Sequence, residues 1–191
     1  MKIDLDELLA DNRSAHLLYA FNSMTNYIKK VVQYIIDGVA NQQTIILIEN
    51  ERYLPLVMKE LKVHLNDTEM TDIHIINNFD FYFSTGCYHP PAILGHIEKM
   101  YMSLLEQNKS IRTWTHVEWS TIEGPLKIVE ELEKVVDQLS ADMGLTIMCA
   151  YDEERMPESL KLALYRTHKF ILSDDGVDYS KFYKMENAVE I

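Results

Sequence analysis

Cysteine is scarce in this chain of 191 residues, which holds only Cys87 and Cys149. With no CxxC pair and no Cys/His ladder, a disulfide framework and a zinc finger are both excluded, and two free thiols fit a reducing, cytoplasmic compartment. A chain this long buries roughly 70% of its unfolded surface, so it needs neither disulfides nor a structural metal for stability. Glycine is also sparse: the six residues, Gly38, Gly86, Gly95, Gly124, Gly144 and Gly176, include no GxG pair, and no GK[ST] occurs. A glycine-rich phosphate cradle is therefore missing, and with it ATP hydrolysis. Positive charge is in deficit, 18 Lys and Arg against 30 Asp and Glu, a formal net charge of −12. Such a surface repels phosphate backbones and anionic lipid, so no nucleic-acid partner and no membrane partner is expected. No uninterrupted apolar run reaches the ~20 residues of a membrane helix. The acidic start MKIDLDELLADNRSAH lacks the basic-then-apolar order of a signal peptide. GxSxG is absent too, which removes one route to nucleophilic catalysis.

What is present is an alternation. Apolar residues at Phe21, Met24, Tyr27, Ile28, Val31, Val32, Ile35 and Ile36 recur at helical spacing and predict a helix over Leu17–Val39, stopped by Gly38. Thr44–Ile48 (TIILI) is short and β-branched and predicts a strand buried on both faces. A helix over Arg52–Leu65 follows, with Pro55 in its first turn, then a strand over Ile73–Ile76. The same reading gives helices over Ala92–Leu105 and Leu126–Leu139, strands over Ile111–Val117 and Leu145–Ala150, a helix from Pro157 to about His168, and a short strand at Phe170–Leu172. Parallel strands need crossovers, so the alternation predicts a three-layer α/β/α domain with a mainly parallel central sheet. No linker, low-complexity tract or solenoid period divides the chain, and residues 1–191 read as one domain with an N-terminal extension over 1–14 and a tail over 184–191.

In parallel sheets, ligands bind beyond the carboxyl ends of the strands. TIILI runs into Glu49, Asn50 and Arg52; IHII into Asn77, Asn78 and Asp80; RTWTHVEW into His116, Glu118 and Trp119; TIMCAYD into Tyr151, Asp152 and Arg155. Chains become polar wherever they reach water, but four strand ends doing so in one pattern predict a polar crevice. Desolvated carboxylates there would be costly, so Arg52, Arg155 or Arg112 would neutralise them, or a ligand or cation would. His116 and Glu118 could form an acid–base pair or part of a metal site, although two ligands do not make one and a hydrogen-bonded pair is the plainer role. Cys149 in the body of a strand reads as inert packing. His16 reads as capping or packing before a helix, and His168 as facing a helix dipole. The segment NNFDFYFSTGCYHPPA reads as a long loop that covers a site or docks a partner, or as core packing by Phe79, Phe81 and Phe83.

His16 with LLYAFNS, then IRTWTHVEW, then CAYD followed by Arg155 and Pro157, and His168 before an apolar end together resemble the MEDS family, the methanogen/methylotroph DcmR sensory domains. The resemblance runs from about His16 to Tyr183. It implies a RecA- or KaiC-like fold that has lost its Walker motifs and senses small molecules such as hydrocarbon derivatives. The matching positions are His16, Tyr19, Arg112, Glu118, Trp119, Cys149, Tyr151, Asp152, Arg155 and His168. The chain departs in having HVEW where relatives often carry a glycine before the glutamate, and in its long HIINNFDFYFSTGCYHPP segment. The expectation is a non-enzymatic ligand-binding sensory domain, with no cofactor and no resident metal. Segments 1–14 and 184–191 are too short for an output domain, so a separate signalling partner, a kinase or transcription regulator, is expected, and a homo-oligomer is compatible. Two rival expectations are an interaction module docking through Met100, Tyr101, Met102 and the FDFYFS segment, and a residual metal-dependent enzyme using His116, Glu118 and Asp152.

Overall fold

A computed structural model describes residues 2–11, 14–105, 110–119 and 126–185. Helix α1 (Leu5–Asp11) precedes strand β1 (Ala15–Phe21). This strand corrects the predicted helix start at Leu17. Leu17, Tyr19 and Phe21 pack into the core on one face of the sheet and Leu18 into the core on the other. A segment buried on both faces is apolar at every position, so helical spacing can be traced through it although the true period is two.

Helix α2 (Met24–Ala40) begins where the Ser23 hydroxyl accepts a hydrogen bond from Asn26 N. It buries Tyr27, Val31, Val32, Tyr34 and Ile35, and full burial of each Val or Ile contributes roughly 1.5–3 kcal/mol. Gly38 does not end it. A Cβ there would lie 2.4 Å from Ile45 Cδ1 and 3.1 Å from Arg112 Cδ, so this glycine permits close approach of helix to sheet. The helix stops at Asn41, whose backbone N–H reaches Asp37 O and Gly38 O, followed by Gln42 at φ 58°.

Strand β2 (Thr44–Glu49) leads to α3 (Leu54–His64), with Pro55 in its first turn, and to the one-turn α4 (Asp67–Met70). After β3 (Ile73–Asn77), the expected long loop begins instead with helix α5 (Asn78–Phe83). Asn77 Oδ1 caps it, accepting from Phe79 N at 2.9 Å and Asp80 N at 3.2 Å. Phe81 and Tyr82 enter the core while Phe79 stays exposed. The remaining elements are α6 (Pro90–Leu105), β4 (Ile111–His116), α7 (Leu126–Met143), β5 (Thr146–Asp152), a 3₁₀ turn at Glu153–Arg155, α8 (Glu158–Thr167), β6 (Phe170–Ser173) and β7 (Gly176–Tyr179). The tail beyond Ser173 thus forms an antiparallel hairpin with β6, and beyond residue 185 it lies outside the described residues. The N-terminal extension is docked: Leu8 is buried, and Ile3 bridges Val177.

The described strands form one seven-stranded sheet in the order β3-β2-β4-β5-β1-β6-β7, parallel except for β7. Helices α2 and α3 pack on one face, and α5, α6, α7 and α8 on the other. This is a three-layer α/β/α architecture. The chain leaves β2 toward the first face and its neighbour β4 toward the second, so their loops diverge, which makes this part of the rim a topological switch point. Further switch points lie between β2 and β3 and between β1 and β5 for the same reason. The first strand–helix turn, Asn22–Ser23, lacks glycine and lysine.

Candidate functional site

The ends of β2 and β4 carry a buried polar network. Glu49, fully buried, accepts from His116 Nδ1 at 2.7 Å, from Asn50 N at 2.7 Å and from the Tyr27 hydroxyl, which in turn accepts from Trp114 Nε1 at 2.9 Å. These donors offset much of the cost of desolvating the carboxylate. A carboxylate only accepts, so His116 Nδ1 carries the proton. His116 Nε2 is buried, has no hydrogen-bond partner among the described residues, and stands 3.9 Å from Glu118 Oε1. The rings of Phe21, Tyr27 and Tyr53 surround the imidazole at centroid distances of 5.2–5.4 Å.

Glu118 is gripped from three sides. Asn50 Nδ2 and Asn78 Nδ2 each donate to its Oε2 at 2.8 Å, and Arg52 Nη2 reaches Oε1 at 3.3 Å. Arg155 Nη1 lies 4.0 Å from Oε1, with its guanidinium over the Trp119 ring. Burial pushes the Glu118 carboxyl up, but His116, the two amides and Arg52 together bring it below its ordinary value. Asn50 also organises the backbone, accepting from Arg52 N and Tyr53 N to start α3. Beside Glu118, a narrow recess is lined by Val117, Trp119, Asp152 and Arg155.

The structure therefore brings Glu49, Asn50, Arg52, Asn78, His116, Glu118, Trp119, Asp152 and Arg155 to one edge. Others of the candidate residues lie elsewhere. Asp80 stays exposed in the first turn of α5. Arg112, at the opposite end of β4, donates to Tyr34 O at 3.1 Å and stacks over the Tyr34 ring. It neutralises none of the rim carboxylates. Tyr19 packs among Phe21, Tyr27 and Trp114, and burial pushes its phenol up to about 12.

His16, Tyr151 and His168 belong to a second cluster on the opposite face of the sheet, together with Cys149 and Glu133. His16 sits within β1 rather than before a helix, because the chain is extended from Ala15 to Phe21. Its Nε2 is 3.2 Å from Glu133 Oε2 and 3.4 Å from Cys149 Sγ; its Nδ1 is 3.2 Å from Thr167 O and 3.5 Å from Asp137 Oδ1. His168 stacks on His16 at 3.9 Å between centroids, and the Tyr151 hydroxyl donates to Glu133 Oε1. Burial opposes the charge of His16, but the Asp137 and Glu133 carboxylates outweigh it and raise His16 to about 9. Glu133 is buried too, yet His16, His168 and Tyr151 draw it down to about 2. Burial, then the charge of His16, lowers His168 to about 3. Burial and the Glu133 charge push the Cys149 thiol well up. Sequence reasoning missed Glu133 and Asp137, since acids in an amphipathic helix read as solvated. Their four-residue spacing, which puts both on one face of α7, was the available signal.

Residues 15–169 match the model of a family described as MEDS, the MEthanogen/methylotroph, DcmR Sensory domain. The chain belongs to the MEDS family. The matched span starts at the first residue of β1 and ends one residue past His168, so it includes both the rim network and the inner cluster. Among solved structures, this MEDS domain is similar to one described as an ATPase domain, with a TM-score of 0.53 and 8% identity over 86% of this chain and 71% of that one. That likeness shows the RecA-like fold and nothing about activity. No curated protein matches the chain. Among the described residues, no helix of the MEDS domain is long and apolar enough to cross a membrane.

Proposed function

We propose that this MEDS domain is a non-enzymatic sensor that binds a small polar molecule at the β2/β4 rim and signals through a separate protein. The observation that carries the reading is His116 Nε2, a buried nitrogen with no hydrogen-bond partner among the described residues, facing the ionised Glu118 at a topological switch point. A ligand group seated there would complete both residues' hydrogen bonding. The loops that close around it, 50–53 and 117–119, start from opposite faces of the sheet, so occupancy would alter their separation. Switching requires that the ligand favour one of two such states. Loss of the phosphate loop fits a fold that binds without hydrolysing.

A thermal-shift screen of small polar metabolites tests this. A ligand at ~100 times its dissociation constant adds about 2.7 kcal/mol, or roughly 5–10 °C at this chain length, and Glu118→Ala abolishes the shift. A broad screen without a hit counts against the sensor reading. The rival docking face is weakened by Tyr101, which is buried with its hydroxyl on Thr113 Oγ1 at 2.5 Å, leaving Met102 and Phe79 as the exposed apolar side chains of that surface.

A further inference from the structure

We propose that His16, Glu133, Cys149 and His168 form a four-coordinate site for a divalent transition-metal ion of the zinc class. One ligand atom from each, a ring nitrogen, a carboxylate oxygen, Sγ and a ring nitrogen, lies within 4.8 Å of all the others, and all four side chains are buried. Tetrahedral zinc with bonds of about 2.0–2.3 Å sets its ligand atoms about 3.3–3.8 Å apart. The observed separations around Glu133 Oε2 are 3.2 Å to His16 Nε2, 3.5 Å to His168 Nε2 and 3.6 Å to Cys149 Sγ, and His16 Nε2 to Cys149 Sγ is 3.4 Å. The donor set of two imidazoles, a thiolate and a carboxylate suits a borderline cation, not calcium or magnesium.

His168 supplies the independent observation. Its Nδ1 lies 2.8 Å from the Leu164 carbonyl, which can only accept, so Nδ1 carries the proton. Nε2 is then a bare lone pair, fully buried and without a hydrogen-bond partner among the described residues, aimed at a carboxylate oxygen 3.5 Å away. Two acceptors facing one another at that distance repel unless a cation lies between them. The surroundings are those of a metal ligand shell: His16 Nδ1 faces the Thr167 carbonyl and Asp137, His168 Nδ1 faces a carbonyl, and Tyr151 holds the second oxygen of Glu133. Metal uptake releases the thiol proton of Cys149 and the Nε2 proton of His16. Two protons leave as a dication enters, so the buried cluster keeps its net charge.

All four coordination positions come from the chain, which makes the ion a staple rather than a Lewis-acid centre. It would pin β1, β5, α7 and the α8–β6 junction to one another. The inference stands independently of the rim ligand, because none of the four proposed metal ligands belongs to the network around Glu49, His116 and Glu118.

The test is a Co²⁺ titration of untagged Cys87→Ser protein, in which exposed Cys87 can no longer contribute a thiolate. Saturation at a single Co²⁺ per chain, with a thiolate-to-cobalt charge-transfer band and tetrahedral ligand-field intensity, is expected. Adding Cys149→Ser should remove the charge-transfer band. Failure to saturate, or a saturated spectrum without a thiolate band, overturns the proposal. Should chelator treatment unfold the protein, elemental analysis of Cys87→Ser as purified decides. About one zinc-class ion per chain supports the site, and folded, metal-free protein that takes up no cobalt refutes it.

Discussion

Glu118 shows how one side chain can tie the rim together, since two amides and two guanidiniums converge on its carboxylate. Its folded-state affinity for protons is depressed below the ordinary 4.5, so it stabilises the fold above that pH, and the contribution disappears as pH falls through the lowered value. Glu118→Gln is therefore expected to melt at a lower temperature than wild type near neutrality, with the gap closing as the solution becomes acid. A gap independent of pH would show that the carboxylate's charge contributes nothing. The partners of Glu118 were partly legible in the sequence, because Asn50, Arg52 and Arg155 follow strands whose ends must share an edge. Glu133 was not legible. It is 117 residues from His16 by position, with Glu130 and Glu131 nearby in the same helix, and only the folded register distinguishes the buried acid from the solvated ones.

At the scale of elements, the hairpin of β6 and β7 closes the far edge of the sheet and anchors the N-terminus. Gly176 turns it at φ 128°, and a Cβ there would sit 3.0 Å from Ile3 O. Gly176→Ala should cost about 1–3 kcal/mol in denaturant unfolding, since an L side chain strains at that φ. It should also speed amide exchange at Ile3 and Val177, which hydrogen-bond each other at 2.9 and 2.8 Å. Unchanged exchange there would mean that the N-terminal bridge does not depend on the turn. The hairpin escaped sequence reading because four-residue strands carry too little alternation to register. Strand β1 escaped for the opposite reason, its apolar run being continuous with that of α2. Element type was secure where period and punctuation agreed, as in β2 and α3, where Pro55 fits only the first turn.

For the whole molecule, the alternation of elements fixes the layers and leaves the strand order open. That order shapes the rim, because it places β2 beside β3 and β4, and β1 beside β5, neighbours whose chains leave toward opposite faces. The same order puts His16 and Cys149 on adjacent strands, so that two clusters flank one sheet. A core truncation such as Ile46→Ala, at a fully buried site in β2, should lower global stability by about 2–5 kcal/mol. Its effect on ligand affinity should be far smaller than that of Glu118→Gln if the rim is the binding site. The decisive measurement is a calorimetric titration of the screening hit into wild type, Glu118→Gln and Cys149→Ala. Loss of binding in Glu118→Gln with near-wild-type affinity in Cys149→Ala is the expected result. Binding retained in Glu118→Gln and lost in Cys149→Ala would contradict a sensory site at the strand ends.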